Sequence, residues 1–157
     1  MARRLAAVHD LPYREVDTLL WNPDWTRVDD AAFHAAHDAL VAGDRWVIDG
    51  FGPWRSVDAR FRRADTIVLV DLPLWVHFWL ATERQIAWQK GTLQDGPAGH
   101  REPPETRALF EMIWQIDRDA LPQLRQRVDE AEAAGAKVAH ITSVDDLQGF
   151  ALNIDLT

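Results

Sequence analysis

The chain has no cysteine, which removes disulfides, thiolate metal sites and cysteine nucleophiles from consideration. Basic residues are scarce beside acidic ones: 17 Lys and Arg against 25 Asp and Glu leave a formal charge of −8. The overall field repels polyanions, so a nucleic-acid or anionic-membrane partner would need a local basic cluster. Long hydrophobic runs are lacking as well. The most apolar stretch, residues 72–80, is interrupted by Pro73 and His77 and followed by Glu83 and Arg84, far short of the ~20 residues that cross a bilayer. The opening residues reach charge at Arg3, Arg4 and Asp10 and so lack the apolar stretch of a secretion signal; a cytoplasmic location is expected. With only 8 Gly and 8 Pro, the chain is neither collagen-like nor low-complexity. What is there suffices for a core: 47% of the 157 residues are hydrophobic, and a domain of this length buries roughly 68–70% of its unfolded surface. One soluble domain over residues 1–157 is expected.

Hydrophobic periodicity alternates along the chain. Leu5 and Val8 share a helical face over residues 2–8, and Pro12 closes the connection to a short β-prone run, 13–17, which ends in Asp17. Asp29 or Asp30 can cap a helix with Phe33, Ala36, His37 and Leu40 on one stripe, stopped by Gly43. Residues 46–49 and 66–71 are continuous apolar runs ending in Asp49 and Asp71, the pattern of strands buried on two faces, with a short helix through Val57 and Phe61 between them. A helix over 74–90, a Gly/Pro-rich stretch over 91–104, helical sequence to Ala134 with a break near Pro122, a strand over 137–141 and a closing helix after Ser143 complete the pattern. Strands alternating with helices predict an α/β fold, a parallel sheet with helices on both faces. Ligands of such sheets sit at the carboxyl ends of the strands. Here those ends carry Asp17, Asp49 and Asp71.

Residues 49–55 are the most informative for chemistry. A strand delivers Asp49 to the sheet edge, Gly50 and Gly52 allow close backbone approach, and Arg55 follows. Asp49 could hold Mg²⁺ or its water while Arg55 grips phosphate oxygens; an ordinary turn-capping aspartate reads the same way. Asp17 could bind a substrate hydroxyl or accept its proton, or cap the turn it opens. Asp71 precedes Leu72 and Pro73 and reads as a turn former. His37, His77 and His140 share no metal-ligand spacing and read as packed or hydrogen-bonded histidines. Arg84, Lys90 and Arg101 bracket the Gly/Pro-rich stretch; folded over the edge they could neutralise a transferring phosphate, and otherwise they belong to a solvated loop. Of the 8 tryptophans, Trp75, Trp79, Trp88 and Trp114 have core-like helical spacing, whereas Trp21, Trp25 and Trp54 fall in loops where they could line a pocket.

Three segments carry a family resemblance: Leu-Pro-Tyr-Arg-Glu-Val-Asp-Thr-Leu-Leu-Trp-Asn-Pro-Asp-Trp (11–25), Gly-Asp-Arg-Trp-Val-Ile-Asp-Gly (43–50) and Ala-Asp-Thr-Ile-Val-Leu-Val-Asp-Leu-Pro (64–73). In order and spacing, over most of its length, the chain resembles the adenylate-kinase-like P-loop NTPases often labelled DNA topology modulation proteins. The resemblance implies a three-layer nucleoside-kinase-like sandwich and ATP- and Mg²⁺-dependent phosphoryl transfer to a nucleotide or small-molecule acceptor. It implies that Asp17 faces the acceptor, at a site whose pocket Trp21 and Trp25 could line from their loops, that Asp49 and Gly50 match the end of the Walker B strand, and that Arg55 stands near an arginine of the acceptor motif, shifted by one at Gly52. It also implies a lid-like insertion around 84–104 with Arg84, Lys90 and Arg101 toward the nucleotide. The departure is at the start: such proteins open with a strand and G-x-x-x-x-G-K-[ST], and this sequence contains neither. Met1 falls just after the place of the Lys-Ser/Thr pair, as for a start at an internal methionine or a shortened chain. A lost central strand is expected to leave an exposed groove or to drive association into a homo-oligomer, and without the loop phosphoryl transfer is expected to be impaired. The alternative is a non-catalytic α/β module that binds a ligand or partner. Nucleic acid is not expected as a partner, because no basic recognition helix accompanies the acidic charge.

Overall fold

The computed structural model describes residues 1–93 and 102–153. Its architecture is α/β, with helices packed on small parallel sheets. The amino-terminal part holds α1 (Ala2–Val8), β1 (Tyr13–Glu15), α2 (Asp17–Leu20), α3 (Asp30–Val41), β2 (Val47–Asp49) and α4 (Trp54–Phe61). The remainder holds β3 (Thr66–Val70), α5 (Leu74–Gln89), α6 (Thr106–Gln115), α7 (Leu121–Ala133), β4 (Lys137–Ile141) and α8 (Val144–Asn153). The run expected as a strand over 13–17 stops at Glu15, because Val16 takes helical dihedrals (φ −61°, ψ −37°) and Asp17 opens α2.

Instead of one continuous sheet, the strands form two parallel ladders. β1 pairs with β2, Glu15 opposite Asp49, and β3 pairs with β4, Thr66 opposite Lys137 through Val70 opposite Ile141. The second ladder is covered on both faces, as its unbroken apolar sequence requires. Alternation sends Ile67 and Leu69 to one side, against Leu121 and Val128 of α7. Val68 and Val70 pack on the other, where Leu72, Val76 of α5, Ile141 and the α8 residues Val144, Leu147 and Phe150 gather. In the first half, the Asp29 side chain accepts from the Ala31 and Ala32 amides and starts α3, which buries Phe33, His37 and Val41. The break expected near Pro122 is a π-helical turn, Ile116–Ala120, leading into α7 with its early proline. Proline lacks the N–H that a straight α-helix would use there.

Between β2 and β3 lies a cavity of about 320 Å³. It occupies the place where the two ladders would have to join to make one sheet. Among the described residues no helix is long and apolar enough to cross a membrane.

Candidate functional site

The parallel β1–β2 pair brings three carboxylates to one edge. Glu15 and Asp49 are register partners, and the Val16 amide donates to the Asp49 carbonyl at 2.8 Å, so Asp17, one residue on, opens α2 beside them. The Tyr13 hydroxyl lies 2.8 Å from a Glu15 oxygen and 3.2 Å from an Asp49 oxygen, and Arg3 of α1 pairs with Glu15 at 2.7 Å. Burial pushes the Glu15 carboxyl up, but the hydrogen bonds from Arg3 and Tyr13, aided by the charges of Arg3 and Arg84, outweigh it and hold the group below its usual range. Burial, and then the bond with Glu15, raise the Tyr13 phenol. The edge is thus an anionic pair bridged by a neutral phenol, with Arg84 of α5 close enough to be felt.

Behind Asp49 the chain turns through Gly50 and Gly52, whose φ angles of +105° and +79° favour glycine. Their close approach is to protein. A Cβ on Gly52 would stand 2.8 Å from a Val16 methyl and 3.0 Å from the Ser56 hydroxyl, and one on Gly50 would stand 3.2 Å from the Val16 Cβ. Gly52→Ala is therefore expected to destabilise by about 2 kcal/mol or more, from the left-handed backbone together with the clash. A urea midpoint equal to that of the parent would show that Val16 moves aside.

The arginine that organises this turn is Arg60, not Arg55. Arg60 is 7% exposed and its guanidinium donates to the carbonyls of Gly50 at 2.7 Å, Ser56 at 3.3 Å and Phe51. Burial lowers its pKa to about 10, against the attraction of Asp49. Arg55 instead reaches Asp38 of α3 at 2.6 Å. Trp54 packs edge-on to Phe51, with Arg127 of α7 over its ring at 4.2 Å.

The remaining positions are spread more widely. Trp21 makes an isolated antiparallel bridge with Arg27. Trp25, at φ +64°, donates its indole N–H to the Glu102 carbonyl at 2.9 Å and meets Trp88 edge-on at 6.0 Å, so it ties the start of α3 to the return of the insertion. Lys90 follows α5 directly. Arg101 lies outside the described residues, as do residues 94–100 of the expected lid.

Asp71 is more than a turn former. Its buried carboxylate accepts two bonds from Arg125 of α7, each 2.7 Å, and lies 2.8 Å from the His140 Nε2. The Arg125 bonds, opposed by burial and helped by His140, hold it below the usual carboxylate range. This cluster fastens α7 across the carboxyl end of the β3–β4 ladder. Its members lie 54 and 69 residues apart, beyond the reach of any local pattern. Glu15 and Arg60 did leave signals: Glu15 shares Tyr13's side of the strand two residues on, and Arg60 follows Val57 by three on the buried face of α4.

For Mg²⁺ the donor chemistry fits: exposed Asp49 can supply one carboxylate, and magnesium commonly takes one or two carboxylates plus waters and phosphates. Among the described residues, no group of three or more His, Asp or Glu is placed to hold a metal by itself. For the phosphates of ATP the fit is lacking. The sequence has no G-x-x-x-x-G-K-[ST], and the two left-handed glycines are packed on Val16. No family model matches the sequence, and neither a curated protein nor a solved structure matches it.

Proposed function

We propose that the chain is the body of an adenylate-kinase-like phosphotransferase of the P-loop NTPase class, a three-layer sandwich whose first strand and phosphate loop are not among these 157 residues. The observation that carries this reading is the register pairing of Glu15 and Asp49 at the carboxyl end of two parallel strands, with Asp17 opening the helix that follows and the charge of Arg84 acting on Glu15. Asp49 supports the metal or its water. Asp17 faces the acceptor and takes up its hydroxyl proton, and Arg84, with Lys90 and Arg101, supplies positive charge toward the transferring group. Glu15, already held by Arg3 and Tyr13, fixes the edge. The acceptor is a nucleotide or small hydroxylic molecule. Bound ATP would supply the phosphoryl group.

The chain as it stands is expected to bind Mg·ATP weakly or not at all, while a version extended by a strand and a Gly-rich Lys-Ser loop binds it. Each charge-assisted hydrogen bond that the phosphates lose costs about 1.5–3 kcal/mol, so two such losses weaken binding roughly a hundredfold or more. Calorimetric titration of both forms decides the matter. Tight binding by the 157-residue chain would mean that the nucleotide site lies elsewhere. No binding by the extended form would favour a non-catalytic ligand- or partner-binding module, a reading that the engagement of Asp49 by the Tyr13 hydroxyl also suits.

A further inference from the structure

The helix α5 is held on two sides. Val76, Ala81 and Gln85 are buried, Val76 in the cluster with Leu72 and Ile141. Phe78 meets Phe110 of α6 at 5.1 Å, and the Gln85 amide donates to the Pro104 carbonyl at 3.0 Å. The side left over is not polar. Although the helical spacing of Trp75 and Trp79 reads as core packing, Trp75 is 64% exposed and Trp79 50%, and Ile86 is 45% exposed on the same side. With Thr82 these residues follow steps of 4, 3 and 4 along the sequence, so at 3.6 residues per turn they fall within about 60° of one another. Single apolar residues on a surface need no explanation, but a continuous line of two indoles and an isoleucine marks an interaction surface.

The spacing says what kind of partner fits. Apolar positions alternating by four and three form the seam on which one helix packs against another. A lipid surface fits poorly: α5 and its cap carry only Arg84 and Lys90 as cations beside Glu83, whereas helices that lie on membranes have a polar face rich in Lys and Arg. The chain's charge of −8 is also repelled by anionic headgroups. A second copy fits on three grounds. The first is size. Two α5 helices, run antiparallel about a two-fold axis between Leu80 and Ala81, set Trp79 of each copy opposite Thr82 of the other and Trp75 opposite Ile86. The large ring meets a small side chain, and Thr82 brings no unpaired hydroxyl to the seam because it already donates to the Phe78 carbonyl at 2.8 Å. The second is charge. In this register the two Glu83 residues stand about 7 Å apart along the helix axes, and the acidic surplus of the chain does not fall on α5, where one acidic residue stands against two basic ones. The third is area. Burying a whole aromatic side chain covers about 150–250 Å², so the seam offers on the order of 400 Å² per copy and about 800 Å² per pair. Stable complexes start near 1,200 Å², and smaller contacts are transient.

We infer that the Trp75, Trp79 and Ile86 face of α5 is a self-association surface, on which two copies of this chain pair through antiparallel helices as a weak, reversible two-fold dimer. The surface is independent of the phosphotransferase reading and of the gap between the ladders, since no residue of α5 lines that cavity.

Sedimentation of the whole chain over rising concentration, up to about 1 mM, should show a monomer passing to a dimer. The double variant Trp75→Glu, Trp79→Glu changes side chains that are half or more exposed and should keep the parent's far-UV circular dichroism while its dissociation constant rises tenfold or more. A parent that stays monomeric throughout would overturn the proposal. So would a double variant that associates as strongly as the parent, which would place the contact elsewhere, at the open edges of the ladders for example. Because the chain has no cysteine, single introduced thiols report the register. Thr82→Cys lies within about 5 Å of its copy along the helix axes, whereas Gln89→Cys, one heptad further on the same line, lies about 25 Å from its own. Mild oxidation should therefore cross-link the first variant into a dimer and leave the second monomeric. Cross-linking of both would mean parallel helices, and cross-linking of neither would remove the seam; each overturns the antiparallel pairing. Co-sedimentation of the parent with phosphatidylserine vesicles, lost in the double variant, would overturn it as well, by assigning the face to a lipid surface.

Discussion

Replacing Arg60 with methionine is expected to cost about 3 kcal/mol or more of stability. Methionine keeps the apolar stem in place but removes a buried guanidinium that serves three carbonyls, those of Gly50, Phe51 and Ser56. The Ser56 carbonyl keeps its helical N–H donor within α4, whereas those of Gly50 and Phe51 lose theirs, and each carbonyl left unpaired costs roughly 1–3 kcal/mol, less what the parent spends on burying a charge. Arg60→Lys should recover part of the loss, because an ammonium on a flexible stem is a point donor and cannot span the same acceptors. Urea unfolding of the three proteins checks the order Arg, Lys, Met. If lysine matched arginine, the charge near Asp49 rather than the spread of donors would be holding the turn.

His37 should make the protein sensitive to mild acid. The ring is fully buried on α3 and stacked on Phe33, and neither of its nitrogens has a hydrogen-bond partner among the described residues. Burial, reinforced by the positive charge of Arg60, lowers its pKa below 6.5. The unfolded chain therefore takes up a proton near pH 6.5 that the folded chain refuses. Stability falls as pH drops from that point toward the folded value, with a slope of at most about 1.4 kcal/mol per pH unit. The carboxyls of Glu15 and Asp71, both held below their usual ranges, act in the same sense but only below about pH 4. The two windows separate. His37→Leu, which removes two dry nitrogens, should be as stable as the parent or more so at pH 7 and should flatten the profile between pH 6.5 and 5. A leucine variant with the parent's full pH dependence would assign the acid sensitivity to another group.

The alternation of strand and helix was legible because each apolar run has a hard stop: Asp49 after β2, the Asp71-Leu72-Pro73 turn after β3, Gly135 after α7. The division into two ladders was not, because pairing between strands depends on which edges meet, and a run such as 66–71 reads the same beside one neighbour or two. The placing of Asp17 and Asp49 at one edge followed from strand polarity alone. Arg55 shows where such reasoning stops. Its sequence position beside the Asp-Gly turn suggests phosphate, yet a helix starting at Trp54 sends the side chain toward α3, where Asp38 meets it. The same helix turns Arg60, which no loop motif marks, inward to the turn. Histidine burial was readable from the stripe of α3; the lack of a hydrogen-bond partner for His37 among the described residues was not, since that depends on what the neighbouring elements offer.

The two ladders are also consecutive in the sequence. Every backbone bond of the first joins residues up to Asp49 and every one of the second joins residues from Asp65 onward. What links the halves is side-chain contact: Arg127 of α7 on Asp58 and over Trp54, and Trp25 against Trp88 and the Glu102 carbonyl. Side-chain links of that kind couple less firmly than a shared hydrogen-bond ladder, so each half can loosen as a cooperative unit of its own. The chain is thus expected to loosen as two foldons, with cooperativity between them carried by side chains: these arginine and aromatic contacts and the packing of Phe61 of α4 on the Ile67, Leu69, Leu121 and Val128 core.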